Sequence, residues 1–339
     1  MTQPTLSPTR MALAAMAPPS SETARFTEAL GVLLRGAPAP WTVSIEDMRA
    51  LRAAGKGVLP IHGPLQQASW IGFEPEALGP EAAPARDGPR RLRVIEPAGA
   101  ARAVILHYHG GGWTFGAAEQ CDGRNLRLAR AADALVVSAP YRLGPEHRWP
   151  ACADDALAAA LWAAREAERR ATPLFVMGES AGAHLAAATL LRLRDLGAAD
   201  AVRGAVFIYG AFDLRLTPSA RRWGERPLVL STPIIEWFRE NLLGPEAPAL
   251  AETPEVSPLL ADLAGMPPAL FQVGAEDPLL DDTLFMAERW RAAGAAAELA
   301  LWPGAPHAFD MFDAPEHQLP IARESQALSA AFITGLAHA

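Results

Sequence analysis

The arrangement of apolar runs after Arg91 constrains the fold of this chain more than any other feature. Short runs rich in β-branched residues alternate with longer Ala, Leu and Arg stretches that have a helical pattern. Such alternation is typical of βαβ units, and the strand candidates are apolar along their whole length, as in strands covered on both faces. We therefore predict an α/β fold, with a mostly parallel central sheet and helices on both of its faces.

The strands and helices can be placed approximately from this pattern. The predicted strands are Leu92 to Ile95, Ala103 to Tyr108, Leu135 to Ser138, Leu174 to Met177, Ala205 to Tyr209, Ala269 to Val273 and Glu298 to Leu301. The predicted core helices are Arg124 to Ala132, Ala151 to Arg169, Ala183 to Leu196, Asp282 to Ala293 and Ile321 to Leu336. Ser44 to Arg90 is rich in Pro, Gly and Ala, and we expect it to be a largely irregular segment before the core, with one strand-like piece, Trp70 to Glu74.

One interval interrupts the repeat. Asp213 to Ala261 contains prolines, tryptophans and one short helical stretch, Ile234 to Asn241, but no strand pattern. An insertion after a core strand lies at the sheet edge where strands end, so it would cover a site there, together with an N-terminal helix, Glu22 to Leu34. We predict a helical cap and the following division: cap helices in 1–60, core in 61–212, cap insertion in 213–261 and core in 262–339.

Composition narrows the choice of partner and compartment. The 339 residues carry a formal net charge of −8, which disfavours nucleic acid, and a small neutral substrate is expected instead. Cys121 and Cys152 are too few for a disulfide framework, and their spacing does not indicate a metal site. Met11 to Met16 is short for a signal core, and no apolar run approaches the roughly 20 residues that span a bilayer. We expect a cytoplasmic protein without stable membrane insertion.

The sharpest local signal is a five-residue turn between a predicted strand and a predicted helix. It reads Gly178-Glu179-Ser180-Ala181-Gly182. Strand, tight turn and helix are the context of a nucleophile elbow, in which a serine hydroxyl is exposed at a helix N-terminus. Upstream, His109-Gly110-Gly111-Gly112-Trp113 directly follows a strand, as does the loop that supplies oxyanion donors in lipases and esterases. Ser180 is the predicted nucleophile.

A serine hydroxyl needs a base, and the base in turn needs an orienting acid. Of the eight histidines, His307 alone follows a late strand in the chain order nucleophile, acid, histidine. The loop after the preceding strand supplies Asp277, with Asp281 as the fallback, while Glu276 and Asp282 compete as structural or helix-starting carboxylates. We predict a Ser180, Asp277 and His307 triad that loses activity in acid as the imidazole becomes protonated.

The order of these motifs resembles the bacterial hormone-sensitive-lipase-like esterases, which have the α/β-hydrolase fold. The similarity covers roughly Arg91 to His307 and includes Tyr141 to Arg148, which resembles that family's YRLAPEHR motif. The resemblance implies an oxyanion hole from the N–H groups of Gly111, Gly112 and Ala181, and neither a cofactor nor a metal. The sequence departs from the family pattern at Glu179, Gly144 and Ala308, which leaves the subgroup and the oligomeric state open, a homodimer included.

The implied function is hydrolysis of carboxylic esters through an acyl-enzyme. By resemblance, the substrates are small esters with short to medium acyl chains. An apolar substrate pocket is expected from aromatic side chains on the loops and the cap: Trp113, Phe115, Phe212, Trp237 and Phe238. Two alternatives stay open at this stage, an amidase or deacetylase with the same triad and a non-catalytic small-molecule receptor.

Overall fold

Eight strands form the central sheet. They are β1 Ser69–Gly72, β2 Arg91–Ile95, β3 Ala103–Tyr108, β4 Ala134–Ala139, β5 Leu174–Glu179, β6 Val202–Ile208, β7 Ala269–Glu276 and β8 Ala297–Pro306. The computed structural model describes residues 18–74, 88–314, 317 and 319–338. In the sheet the strands follow the order β1-β2-β4-β3-β5-β6-β7-β8. The six strands from β3 to β8 pair in parallel, and β2 is antiparallel to both β1 and β4. The mostly parallel sheet is confirmed.

Ten helices of the described chain pack around this sheet or over one edge of it. They are α1 Ser21–Arg35, α2 Ile45–Ala53, α3 Asp122–Ala132, α4 Ala151–Arg170, α5 Ala181–Asp195, α6 Pro218–Arg222, α7 Thr232–Leu243, α8 Ala247–Ala251, α9 Leu280–Ala292 and α10 Pro320–Ala337. Two separate apolar clusters cover the two faces of the sheet. Helices α4, α5 and α9 contribute to one cluster, which includes Trp290, and helices α1, α3 and α10 contribute to the other, which includes Ile333. Helices therefore lie on both faces, as predicted.

The N-terminal part of the chain is more regular than its composition indicates. Helix α2 lies inside the segment that was expected to be largely irregular, and that expectation was wrong for residues 45–53. The Ser44 side chain caps the helix by accepting from the Asp47 N–H at 3.0 Å and donating to the Asp47 carboxylate at 2.6 Å. A serine followed by a carboxylate three residues later is a sequence signal for a helix start, so α2 could have been predicted.

The interval 213–261 contains helices α6, α7 and α8 and one isolated bridge between Leu228 and Leu230. Helix α1 packs against the sheet at β8, where the Thr27 hydroxyl donates to the Gly304 carbonyl at 2.8 Å and the Phe26 ring lies 4.9 Å from that of Phe312. The apolar stretch Met11 to Met16 lies outside the described residues. The boundaries at residues 60, 212 and 261 stay predictions.

Strand β8 is longer than the sequence indicates. It was predicted to end at Leu301, but it continues to Pro306, and the pairing with β7 crosses an irregularity between Gly274 and Glu276. The extension brings the carboxyl ends of β7 and β8 to the same place, with residue 307 directly after the strand. None of the helices in the described ranges combines the length and the apolar character needed to cross a bilayer.

Candidate active site

The turn between β5 and α5 holds Ser180 in a strained conformation. Its backbone has φ 55° and ψ −120°, a combination that a residue with a side chain rarely adopts. The backbone N–H of Ser180 donates to the Ile208 carbonyl of β6 at 2.9 Å. This bond ties the strained residue to a central strand. The turn therefore presents the hydroxyl at the carboxyl edge of the sheet.

Three predicted side chains meet at this edge. The Ser180 Oγ lies 3.0 Å from Nε2 of His307, and Nδ1 of His307 lies 2.8 Å from an Asp277 carboxylate oxygen. The other Asp277 oxygen accepts the Leu279 N–H at 2.8 Å. Because an ionised carboxylate can only accept, the proton of neutral His307 belongs on Nδ1, which leaves Nε2 to accept from the serine. The geometry allows proton transfer from the hydroxyl to the imidazole.

The neighbouring acids have other partners. Asp281 accepts the Ser219 N–H at 2.8 Å, and Glu276 pairs with Arg226 at 2.6 Å. Asp282 accepts the backbone N–H groups of residues 212 and 213 at 2.8 and 2.9 Å. Burial raises the pKa of Asp282 to about 7. Of the four acids in this loop, the structure brings Asp277 alone to the histidine.

The predicted oxyanion donors surround the serine. Gly111 and Gly112 have φ values of 122° and 59°, in the left-handed region that favours glycine, and Phe115 donates its N–H to the Gly111 carbonyl at 2.8 Å. Ala181 is the first residue of α5, so its N–H is at a helix N-terminus. Two cavities open at Ser180; Ala181 lines one of them, Gly111 lines the other, and Gly112 lines both. The arrangement can place backbone donors around a developing negative charge.

A buried charged network, which the sequence analysis did not predict, lies beside the turn that holds Ser180. Glu179 accepts from Arg124 at 2.7 Å and contacts His107 at 2.9 Å, and its other oxygen accepts the Gly110 N–H at 3.0 Å. Burial opposes ionisation of Glu179, but the charge and hydrogen bonds of Arg124 and His107 prevail and hold its pKa at about 2. The carboxylate thus connects the residue before Ser180 to the predicted oxyanion loop.

The network continues toward His307. Arg124 pairs with Asp310 at 2.9 Å, and Asp310 accepts the Tyr209 hydroxyl. The Tyr209 ring lies 4.6 Å from the imidazole of His307. A single chain of buried polar contacts therefore runs from the predicted oxyanion loop to a ring packed on His307.

One group of side chains has the composition of a metal site. Possible ligand atoms of His107, Cys121 and Glu179 lie within 4.8 Å of one another. Nη2 of Arg124 lies 2.7 Å from Glu179 and 2.6 Å from His107, so a guanidinium cation already occupies the position next to these ligands. Burial also raises the pKa of the Cys121 thiol, which disfavours the thiolate that binds metals. The donor set does not fit a metal ion.

Two cavities open beside Ser180, a large one of about 660 Å³ and a small one of about 40 Å³. Phe115 lines the large cavity, Trp113 the small one, and Phe238 both. Two of the predicted pocket residues are corrected. Phe212 is fully buried with its ring 5.6 Å from that of Phe207, and Trp237 packs behind Phe238 at 5.3 Å, so neither is among the lining residues.

The large cavity also has a wall that the sequence did not reveal. Met48, Leu51 and Arg52 of α2 line it. Recognition of the Ser44 cap would have predicted the helix. Its position over the serine could not have been predicted, since it depends on contacts between distant segments.

The chain is similar in sequence and in fold to known esterases. A family model described as alpha/beta hydrolase fold matches residues 105–311. An ethyl acetate hydrolase of Pseudomonas putida is 33% identical over 288 residues, which cover 78% of this chain and 89% of that protein. A carboxylesterase of Mycobacterium tuberculosis is 35% identical over 217 residues, 62% of this chain and 67% of that protein. A hyperthermophilic esterase of the archaeon Pyrobaculum calidifontis superposes with a TM-score of 0.77 at 30% identity, covering 95% of this chain and 100% of that one.

Proposed function

Because the chain belongs to the hormone-sensitive-lipase-like esterases of the α/β-hydrolase fold and is a carboxylic ester hydrolase, we propose that its catalytic residues are Ser180, His307 and Asp277. The observation that carries this proposal is the pair of contacts made by His307, 3.0 Å to the Ser180 hydroxyl and 2.8 Å to the Asp277 carboxylate. In this assignment Ser180 is the nucleophile, His307 the general base and Asp277 the group that orients it.

The geometry supports a two-step mechanism. His307 Nε2 takes the Ser180 proton as Oγ attacks the ester carbonyl, and the N–H groups of Gly111, Gly112 and Ala181 stabilise the oxyanion. Nε2 then donates that proton to the departing alcohol oxygen, which leaves an acyl-enzyme that water hydrolyses by the same steps. Asp277 stabilises the imidazolium without taking its proton. One oxyanion donor is typically worth about 3 to 4 kcal/mol of transition-state stabilisation.

The proposed substrates are small esters with short to medium acyl chains. The relative from Pseudomonas putida is named for ethyl acetate, the ester of a short acid and a short alcohol. The residues around Ser180 are largely apolar in both cavities, which fits uncharged acyl and alcohol groups. Amide hydrolysis and a non-catalytic role have no such support from the named relatives.

The assignment of Ser180 is tested by p-nitrophenyl butyrate hydrolysis together with labelling by a fluorophosphonate probe. Ser180→Ala is expected to lose at least about 10³-fold in kcat and all labelling. Ser69→Ala, on the exposed edge strand β1, is the matched control and is expected to retain both. An active, labelled Ser180→Ala variant would refute the proposal.

The location and assembly of the protein are also proposals. We expect it to act in the cytoplasm on small-molecule esters, without nucleic acid, as a monomer or a homodimer. Fractionation of cells into cytoplasmic, periplasmic and membrane samples, and light scattering of the purified protein, would test these expectations. Recovery in a membrane or periplasmic fraction would contradict the proposed location.

A further inference from the structure

Arg52 of α2 has no acidic partner, unlike the buried arginines Arg93 and Arg124. Arg93 pairs with Asp122, and Arg124 pairs with Glu179 at 2.7 Å. The Nε atom of Arg52 is buried without a hydrogen-bond partner, and no carboxylate of the described residues forms an ion pair with its guanidinium. Because a guanidinium stays charged in proteins, burying it without a partner is costly. An anion that entered the surrounding space would supply the missing partner.

The Arg52 side chain lines the large cavity, of about 660 Å³, that contains Ser180. The guanidinium carbon lies 5.7 Å from the centre of the Phe115 ring, and Phe115 donates its N–H to the Gly111 carbonyl of the predicted oxyanion loop. On another side, a Cβ added to Gly57 would be 3.3 Å from Arg52 Cγ. An aromatic ring and a close backbone therefore restrict where the positive charge can lie.

Two further cations line the same cavity. They are Arg35, the last residue of α1, and Lys56, the only lysine in the sequence. Of the acids that line it, Glu179 is already paired with Arg124, and Glu225 is exposed to solvent, where its charge is screened. The chain as a whole has a net charge of −8, so this wall is opposite in sign to the rest of the molecule. Such a wall attracts anions.

The small cavity is less suited to an anion, although an arginine lines it as well. Arg239 lines that cavity together with two carboxylates, Asp213 and Asp282. The Arg239 guanidinium also donates to the Leu214 carbonyl at 3.4 Å. Two acids beside one cation oppose the approach of a further negative charge. An anion is therefore favoured less in the small cavity than beside Arg52.

His307 lines the large cavity and has to protonate the leaving oxygen, so the alcohol part of an ester lies in this cavity. Apolar side chains such as Met48 and Leu59 form much of its wall. Resting on the proposed function, we propose that Arg52 binds a carboxylate carried by the alcohol part of the substrate. A guanidinium can hold a carboxylate through two parallel hydrogen bonds. The substrate class is esters formed at the hydroxyl group of bulky apolar hydroxy acids, rather than esters of neutral alcohols.

The first experiment compares two esters that differ only in charge, 6-acetoxy-2-naphthoate and 6-acetoxy-2-naphthamide. In the wild type, kcat/KM should be at least about tenfold higher for the carboxylate, because a hydrogen bond to a charged group is stronger than one to a neutral group. Arg52→Met, which keeps a long apolar side chain, should bring this ratio close to one. Arg52→Lys should retain part of the preference, whereas a merely structural role would lower both rate constants together.

Arg239→Met is the matched control, since it makes the same change in the other cavity beside Ser180. It should leave the carboxylate-to-amide ratio within about twofold of the wild type. Lys56→Gln should lower the ratio by about twofold, because an exposed charge is screened by water and salt. A wild-type ratio near one would overturn the inference, as would an equal loss of preference in Arg52→Met and Arg239→Met.

Binding without turnover separates this inference from the proposed function. Isothermal titration of 2-naphthoate and 2-naphthamide into Ser180→Ala should give at least about tenfold tighter binding of the carboxylate, and Ser180→Ala combined with Arg52→Met should bind the two about equally. Equal affinities in Ser180→Ala alone would overturn the inference and leave the proposed function intact. Ester hydrolysis that persists in Ser180→Ala would refute the proposed function, whereas the preference for the carboxylate would stand.

Discussion

The carboxyl edge of the sheet and the segments predicted to form a cap over it are held by different kinds of contact. At the edge, Glu179, Arg124 and Asp310 are almost fully buried and pair with one another. The predicted cap segments, 1–60 and 213–261, contact the site mainly through apolar side chains in the parts that the structure describes. Residues 32–51 alone contain four of the six large hydrophobic side chains that are exposed in the described chain: Val32, Leu33, Trp41 and Leu51.

This difference suggests that residues at the sheet edge determine catalytic turnover, whereas residues of the predicted cap determine which substrates bind. A buried charge that loses its partner destabilises the fold strongly, so the residues under the serine can change little. Apolar cap residues such as Ile234 and Ile235 can change size at a smaller cost, and each change reshapes a cavity rather than the triad. The comparison leads us to expect large effects on turnover and stability from the edge, and smaller effects, confined to substrate preference, from the cap.

The largest expected effect concerns the acid of the proposed triad. Asp277→Asn should lower kcat by about 10³- to 10⁴-fold, because an amide donating to Nδ1 favours the imidazole tautomer that cannot accept the serine proton. Asp281→Asn, in the same loop but bonded to the Ser219 N–H, should stay within about threefold of the wild type. Steady-state kinetics with p-nitrophenyl acetate measures both. A larger loss in the Asp281 variant would reverse the assignment.

The next effect concerns stability rather than turnover. Glu179→Gln should lower the free energy of unfolding by about 3 kcal/mol, since the buried Arg124 then loses one of its two carboxylate partners. Glu288→Gln, which breaks an exposed pair with Arg291 on α9, should change it by less than about 0.5 kcal/mol. Urea unfolding at pH 7.5 gives both values. Similar values for the two variants would contradict the contrast between buried and exposed pairs.

More of the carboxyl edge of the sheet than of the proposed cap could be predicted from the sequence. Backbone chemistry restricts a nucleophile elbow to few residue types, and chain order then distinguishes His307 from seven other histidines. The direction of a strand was harder to predict from the sequence. An apolar run such as Leu92 to Ile95 indicates burial, but it does not show that β2 is antiparallel to its neighbours. The length of β8 was underestimated because Pro303 and Gly304 resemble a turn.

The cap could be predicted least, because its residues carry no motif. The sequence cannot distinguish an aromatic residue that lines the substrate pocket from one that packs in the core. Phe212 was therefore assigned to the pocket, although its ring belongs to the core. The Glu179 network was missed for a related reason. Its members are spread from residue 107 to residue 310, and only the folded chain brings them together.

The next expected effect is on the pH dependence of stability, and it comes from His184, which is buried without a negatively charged partner. Burial lowers the pKa of His184 to about 4, and its ring contacts Trp113 Nε1 at 3.2 Å and the Val256 carbonyl at 2.8 Å. The unfolded state binds the proton more readily, so the stabilisation is complete above the unfolded pKa of about 6.5 and is lost as the pH falls toward 4. Between pH 8 and pH 5 this loss should be about 2 kcal/mol.

His184→Gln tests the origin of that pH dependence. The variant is less stable at every pH, but its free energy of unfolding should fall about 2 kcal/mol less than that of the wild type between pH 8 and pH 5. His338→Gln, at an exposed position near the end of α10, should keep the wild-type pH dependence. Urea unfolding at four pH values distinguishes the two. An unchanged slope in His184→Gln would show that the acid sensitivity arises elsewhere.

The smallest expected effect comes from Arg49, whose polar contacts join helix α2 to loops at the carboxyl edge of the sheet. Arg49 of α2 donates to the Thr114 and Gly144 carbonyls at 2.9 Å each and pairs with Glu146 at 2.8 Å, while about a third of its side chain is exposed. Partly exposed contacts of this kind are worth about 1 kcal/mol or less. Arg49→Ala should therefore lower the free energy of unfolding by no more than that.

The same variant probes whether the cap acts on substrate preference alone. Met48 and Leu51, on the same helix, line the large cavity, so a loosened α2 should raise KM for naphthyl acetate about two- to fivefold and leave kcat for ethyl acetate within about twofold. Arg25→Ala, at an exposed position on α1, serves as the control and should change neither constant. A tenfold fall in kcat for ethyl acetate in Arg49→Ala would mean that α2 also holds the Thr114 end of the oxyanion loop in position, and the separation of chemistry from specificity would not hold.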